Sequence, residues 1–260
     1  MRQITDIAAE RNVAYDDLSP LTVFRELLGS KLPGEEKNIE RLTEDAVTLV
    51  TAGSETVSWT LSVTTYHLLT DPRVLRNLKA ELRTAIPDLT LRPSLTALEN
   101  LPYLTGVIKE GLRLSYGFSS RLPRVSHEPL VFLVPAGTPV SMSIPLIHQD
   151  ESIFQNRKEF KPELWIEDPR LDRFLISFSK GSRNCVGLHV AYAEQYLCCL
   201  VFSEGSELRT YTLRTTKVFL ELFETDASDV NMAADRFVPH VKAESKGVKF
   251  RVSSMRYSDN

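Results

Sequence analysis

Cys185 is the residue whose setting most clearly suggests chemistry. It stands in the stretch Phe178-Ser179-Lys180-Gly181-Ser182-Arg183-Asn184-Cys185-Val186-Gly187, with a glycine on each side and Arg183 two residues before it. A run that can be helical follows: Val186, Leu188, Val190, Ala191, Ala193, Tyr196 and Leu197. A cysteine near a helix N-terminus faces unpaired backbone N–H groups, which favour an anion, so a thiolate is stabilised there. Free cysteine titrates at about 8.5, and such a setting lowers that value. Gly181 and Gly187 take backbone angles closed to other residues and let a large flat group approach. Arg183 is a permanent cation suited to a carboxylate. The plainer alternative is a buried structural cysteine in a glycine-rich turn.

Two other groups could do chemistry. Ala52-Gly53-Ser54-Glu55-Thr56 puts a glycine and small hydroxyl residues inside a long apolar periodicity, where they cost helix stability. Such a weak spot marks either close approach of another group or helices packed closely with Glu55 in solvent. Glu110 and Arg113 are three residues apart, so both lie on one helical face. As an exposed ion pair they would contribute about 0–1 kcal/mol. Glu167 and Arg170 repeat the spacing, but Pro169 lies between them. His189, four residues after Cys185, resembles half a metal site with no second half. Cys198 and Cys199 fall in the apolar run and read as core.

The elements that must position these residues follow from periodicity. The chain has 260 residues, 42% hydrophobic and 25% charged, which suits one large or two small globular domains. A net charge of −3 argues against nucleic acid as a partner. Three cysteines without a C-x-x-C pair make neither a disulfide framework nor a typical zinc site. Nothing at the N-terminus resembles a signal peptide, and no run of about 18 apolar residues could span a membrane.

Residues 1–34 read as a helix and a loop. A long helix is expected over about 35–71, carrying Ile39, Leu42, Ala46, Leu49, Val50, Gly53, Val57, Leu61, Thr64 and Leu68 at spacings of three and four. Pro72 begins an amphipathic helix that ends before Pro87. Residues 88–102 form a loop with a short helix after Ser94. The Glu110–Arg113 helix is expected over about 103–116. Between residues 121 and 145, Pro123, Pro129, Pro135, Pro139 and Pro145 separate short β-prone runs, which predicts a small antiparallel sheet turning at Pro135-Ala136-Gly137. A short helix is expected over 147–154. Residues 203–217 are polar and without periodicity, and Val218–Phe223 and Val248–Val252 read as strands.

The pattern F-x-x-G-x-R-x-C-x-G at 178–187 resembles the haem-ligating signature of the cytochrome P450 monooxygenases. Five fixed positions would match by chance with a probability of roughly 10⁻⁵ to 10⁻⁴ in a chain of this length. The order of the other motifs, from A-G-x-E-T through E-x-x-R, the proline-rich sheet and Phe160-Lys161-Pro162-Glu163, is also the family's. The resemblance runs from about Lys37 to Val252 and covers the C-terminal half of such a protein. It implies a mainly α fold with small antiparallel β-sheets, the haem-binding half of the cytochrome P450 fold. Phrases such as Pro135-Ala136-Gly137-Thr138-Pro139-Val140-Ser141-Met142 are fungal and microsomal in type, in a subgroup similar to trichodiene oxygenase.

The resemblance implies roles residue by residue. Cys185 would be the axial thiolate on the iron of haem b (iron protoporphyrin IX). Thr56 and Glu55 would help deliver protons to bound dioxygen, and Ala52 and Gly53 would make room for oxygen and substrate. Arg183 and Arg124 would bind the haem propionates, Phe178 would pack beside the sulfur, and Gly181 and Gly187 would shape the loop around it. Glu110 and Arg113 would be a buried structural pair. The implied reaction inserts one atom of O2 into an apolar organic substrate. Its electrons come from an NADPH–cytochrome P450 reductase docking near Lys180, Arg183 and Arg157. An inactive relic and a non-catalytic haem-binding module are the competing readings. Full-length members of this type are anchored in the endoplasmic reticulum membrane.

The chain departs from the family at three places. The family usually carries an arginine where Leu164 stands, completing a triad with the Glu–Arg pair; here it is absent or supplied by another arginine such as Arg170 or Arg173. The segment between Phe132 and Pro135 is a few residues short. Residues 203–217 have no counterpart, as a retained intron would produce; continuous exon sequence across them would defeat that explanation.

Overall fold

In the computed structural model of the chain, residues 22–87, 93–129, 134–204, 216–222, 226–232, 234–236, 238–241, 244–245 and 249–256 are described. The chain divides into two compact units, Met1–Glu55 and Thr56–Asn260.

In the first unit, α1 (Val23–Gly29) is capped by Thr22, whose hydroxyl accepts from the Arg25 amide. A 3-10 turn (Gly34–Lys37) precedes α2 (Ile39–Thr70), whose residues through Glu55 belong to this unit. The helix starts later than the periodicity suggests. Asn38 Oδ1 accepts from the Arg41 amide at 2.7 Å, an N-cap that fixes the first turn.

The second unit is built around α5 (Pro102–Ser115), which is buried on nearly every side. Around it pack α3 (Pro72–Ala85), α4 (Leu95–Glu99), α7 (Glu163–Glu167) and α8 (Leu188–Glu204). Helix α3 is the expected amphipath: Asp71 caps it, Pro72 opens it, and Val74, Leu78 and Leu82 are buried at spacings of four. Its Glu81 reaches across to accept the Tyr103 and Leu104 amides, each at 2.8 Å. A carboxylate there satisfies orphan donors and complements the helix dipole of α5.

Small residues seat α2 against α5. A Cβ at Gly111 would lie 2.0 Å from Thr64 Oγ1. Thr60 and Ser115 hydroxyls meet at 3.0 Å, and Trp59 Nε1 donates to the Ser115 carbonyl. At its C-terminus α5 stops on Tyr116 (φ 66°) and Gly117 (φ 68°). A Cβ at Gly117 would fall 2.5 Å from the Ser177 carbonyl oxygen, so this glycine lets a later segment pass against the helix end.

Among the described residues of 121–145 there is one pair of short strands. Strands β1 (Arg124–Val125) and β2 (Pro139–Val140) pair antiparallel, Arg124 opposite Val140. The turn falls at Pro135–Thr138, where Gly137 adopts φ 81°. Pro145 belongs to α6 (Ile144–His148), in its first turn, where a missing N–H breaks no helical bond. The helix expected over 147–154 is therefore this earlier one, followed by turns. The strand expected at Leu130–Val134 falls mostly on residues 130–133, outside the described residues.

Beyond α8, β3 (Thr216–Leu222) pairs antiparallel with β6 (Phe250–Arg256), and β4 (Ala234–Arg236) with β5 (Val238–His240). The first pair falls on the two expected strands: β3 starts two residues and ends one residue earlier than expected, and β6 starts two residues and ends four residues later; β4 and β5 fall on no expected strand. The atypical block 203–217 lies largely outside the described residues, α8 ending at Glu204 and β3 starting at Thr216. The fold is mainly α with small antiparallel sheets, as expected. Among the described residues, no helix is long and apolar enough to cross a membrane.

Candidate haem-thiolate site

The site has a buried hub and an exposed loop. At the hub, the Glu110 and Arg113 side chains are both 0% exposed. Arg113 Nε and Nη2 donate to Glu110 Oε2 and Oε1, each at 2.8 Å. Its remaining donors go to the carbonyls of His148 (2.9 Å), Arg157 (2.8 Å) and Glu159 (3.1 Å). A guanidinium has five N–H groups, and all five are used. The two side chains thus meet inside the unit and not on its surface.

Glu110 also accepts from the Lys161 amide at 2.9 Å and from Trp165 Nε1 at 3.0 Å. Of the two alternatives left open at Leu164, no arginine or one supplied by Arg170 or Arg173, neither named arginine reaches Glu110. Arg170 binds Asp168 at 2.7 Å and is largely exposed; Arg173 lies over the Phe174 ring at 4.7 Å. The donors facing Glu110 are instead an indole and a backbone amide. Trp165 is held by Phe154 (5.8 Å between centroids) and by Lys109, which lies over its ring and pairs with Asp172 at 2.7 Å.

His148 links the hub to the loop. It is fully buried; its Nδ1 lies 3.0 Å from the Arg113 carbonyl oxygen, and its Nε2 accepts from the Ile176 amide at 3.1 Å. Burial, opposed by its backbone bonds, and the nearby Arg113 charge hold its pKa down at about 3, so it is neutral at ordinary pH. The sequence reading missed both His148 and Trp165. A lone histidine or tryptophan has no spacing signal; only its surroundings identify it.

In the loop, Ser177 Oγ donates to the Leu112 carbonyl at 2.9 Å and the Ser179 amide to the Ile176 carbonyl at 2.8 Å. Ser179 and Gly181 both have positive φ, 63° and 77°. The Cys185 amide then donates to the Phe178 carbonyl at 2.9 Å, closing the turn. The Phe178 ring packs on Tyr192 of α8, 5.2 Å between centroids. Cys185 is a free, exposed thiol just ahead of α8, which excludes the buried structural cysteine. A Cβ at Gly187 would stand 3.9 Å from its sulfur. Arg183 and Lys180 are exposed around it.

The loop also borders a cavity of about 370 Å³ lined by Arg124, Val125, Val140, Met142, Ile176 and Lys180. Arg124, expected to bind a propionate, is exposed; its Nη1 donates to the carbonyls of Leu122 and Pro123, both at 3.2 Å. Helix α8 buries Gln195, Tyr196 and Cys199 and exposes Val190 and Leu197 beside His189 and Glu194. Cys198 and Cys199 read as core: Cys199 is buried, and burial pushes its thiol up to about 12. Among the described residues no His, Cys, Asp and Glu cluster could hold a metal ion. On α2, Ala52, Gly53 and Glu55 are exposed and belong to the first unit; Thr56, half-buried, opens the second.

The profile of the cytochrome P450 family matches residues 3–203. The chain is 40% identical over 262 residues to the cytochrome P450 monooxygenase tpcC of Cochliobolus heterostrophus, covering 97% of this chain and 50% of that protein. It is 41% identical over 267 residues to the cytochrome P450 monooxygenase astB of Talaromyces wortmannii, covering 96% and 54%. To the tryptophan 6-hydroxylase fscE of Fusarium equiseti it is 38% identical over 256 residues, covering 96% and 48%. The chain thus spans about half the length of the curated relatives it matches.

The residues present fit the haem that this likeness implies. A haem needs an accessible thiolate, apolar surface against its ring and cations for its propionates. Cys185 is accessible, Val186 beside it is 92% exposed and Val190 63%, and Arg183 and Arg124 are exposed cations. Gly187 keeps the space next to the sulfur clear.

Proposed function

Because the chain belongs to the cytochrome P450 family, we propose that it is the haem-binding half of a haem-thiolate monooxygenase that inserts one atom of O2 into an apolar organic substrate. The observation that carries this reading is the presentation of Cys185: a free, exposed thiol in a turn closed by its own amide, at the head of an apolar helix.

Cys185 would ligate the iron of haem b, and the bound haem would supply oxygen activation, the thiolate pushing electron density toward the metal. Arg183 and Arg124 would hold the propionates by charge-assisted hydrogen bonds. Val186 and Val190 would cover apolar edge and exclude water there. Phe178, fixed on Tyr192, would hold the loop's shape beside the sulfur. Thr56 and Glu55, adjacent on α2, would pass a proton through a hydroxyl and carboxylate. Ala52 and Gly53 would leave volume for substrate. Electrons would come from an NADPH-dependent reductase recognising Lys180, Arg183 and Arg157.

The substrate class is a small organic molecule of fungal secondary metabolism. One relative is named for tryptophan 6-hydroxylation, so indole-bearing compounds join terpenoids as the first panel to test. The deciding experiment is the reduced, carbon-monoxide difference spectrum of the haem-supplemented chain. A band at about 450 nm marks thiolate ligation, and Cys185→Ala abolishes it. A wild-type chain that takes up haem without that band would overturn the assignment of Cys185; one that takes up none would favour the inactive relic.

A further inference from the structure

We propose that His148 is a positioning residue for the Cys185 loop: its imidazole bridges the end of α5 and the segment entering the loop, and so sets where the thiol is presented. The Ile176 amide can only donate, so His148 Nε2 accepts and carries no proton. The proton therefore sits on Nδ1 and is donated to the Arg113 carbonyl at 3.0 Å. Each ring nitrogen is committed to a different element. The Arg113 guanidinium also donates to the carbonyl of His148 itself at 2.9 Å, so backbone and side chain of one residue are both tied to Arg113.

The linkage continues to the thiol through backbone. The Ile176 carbonyl accepts from the Ser179 amide, and the Phe178 carbonyl accepts from the Cys185 amide. Phe154 meets the imidazole edge-on at 6.4 Å and Tyr116 stacks at 6.5 Å, holding the ring plane. A side chain replacing His148 must donate at one end and accept at the other across a rigid ring. Asparagine or glutamine matches one nitrogen position and leaves the other partner unpaired. Phenylalanine fills the space and satisfies neither.

Amide hydrogen exchange on the full chain without haem tests this independently of the iron. His148→Phe and His148→Asn are expected to speed exchange of the Ile176, Ser179 and Cys185 amides by about tenfold or more, leaving α3 unchanged. Ser177→Ala, which removes the neighbouring tie to Leu112, is expected to do less. A variant that folds with exchange at these amides within about twofold of wild type overturns the proposal. Should both variants fail to fold, wild-type exchange in low denaturant decides. The Ile176 amide opening together with the C-terminal turn of α5 supports the link, and opening independently refutes it.

A second readout rests on Cys185 being the iron ligand. The folded, haem-loaded His148 variants are expected to move the carbon-monoxide band from about 450 nm toward about 420 nm, while Gly111→Ala, destabilised away from the loop, keeps it. Folded His148 variants that keep the wild-type band overturn the proposal. A wild-type chain without haem would sink the monooxygenase reading while the exchange result stands.

Discussion

At Glu110 and Arg113 every charged atom is buried and bonded; at Cys185, in the same folded unit, the thiol and the cations around it face outward. The hub collects partners from α5, α7, the last residue of α6 and the segment 157–161, all through hydrogen bonds. Burying two charges costs several kcal/mol each, and only such complete satisfaction offsets it. The loop is fixed from behind by backbone bonds and left open in front. The two regions divide the labour: one commits its polar groups to holding the frame, and the other leaves its thiol uncommitted.

The hub side breaks most easily. Arg113→Leu strands the buried Glu110 carboxylate and three carbonyls, so it is expected to cost about 3–5 kcal/mol or more. That is a large share of a domain's usual stability. Urea unfolding followed by circular dichroism measures it; a loss below about 1 kcal/mol would contradict the assigned bonds.

Acid should act on the same frame. His148 is held at about 3 and His67, half-buried and stacked on Phe160, at about 4, both below their usual 6.5. The unfolded chain therefore binds protons that the folded chain refuses. Their stabilising contribution is complete above about pH 6.5 and falls as pH drops toward those lower values. Between pH 6.5 and 5 each histidine is expected to remove roughly 1–2 kcal/mol. His148→Asn should flatten that slope, and an unchanged slope would mean the ring titrates freely.

Two glycines sharpen the contrast. Gly111→Ala drives a Cβ into Thr64 Oγ1 and should destabilise by about 1–3 kcal/mol, partly recovered by adding Thr64→Ala. Gly187→Ala places its Cβ at ordinary contact distance, 3.9 Å from the sulfur, and should leave the melting temperature unchanged while slowing alkylation of Cys185. Reversed results would mean that the loop, not the hub, is the tightly packed region.

Much of this was legible in the chain, for identifiable reasons. The helices around the hub were readable because Val74, Leu78 and Leu82 recur at spacings of four and because Pro72 marks a helix start. The cysteine loop was readable because its glycines and arginine stand at fixed offsets. What the hub binds was not: three of its acceptors are backbone carbonyls at 148, 157 and 159, and a carbonyl carries no side-chain signature. Among the described residues, the sheet expected over 121–145 is one pair of two-residue strands, and its Pro139 brings no donor to the ladder. Nor does any spacing rule place Trp165 against Glu110. Trp165→Phe keeps the ring and deletes the donor, and should cost about 1–3 kcal/mol. Arg170→Ala with Arg173→Ala should stay within about 0.5 kcal/mol.

The smallest effect on stability is expected at the residue proposed to hold the iron. Cys185 is exposed, and nothing in the buried frame leans on its sulfur. Its backbone amide closes the loop onto Phe178, and alanine keeps that amide. Cys185→Ala is therefore expected to change unfolding free energy by less than about 0.5 kcal/mol while removing thiolate-type iron binding altogether. A large loss of stability in the haem-free variant would mean that the sulfur serves the frame, and the separation of hub from loop would collapse. An unaltered fold without the spectrum would place the iron ligand on a side chain that folding does not use. Such a residue would stay free to be held by the proposed haem.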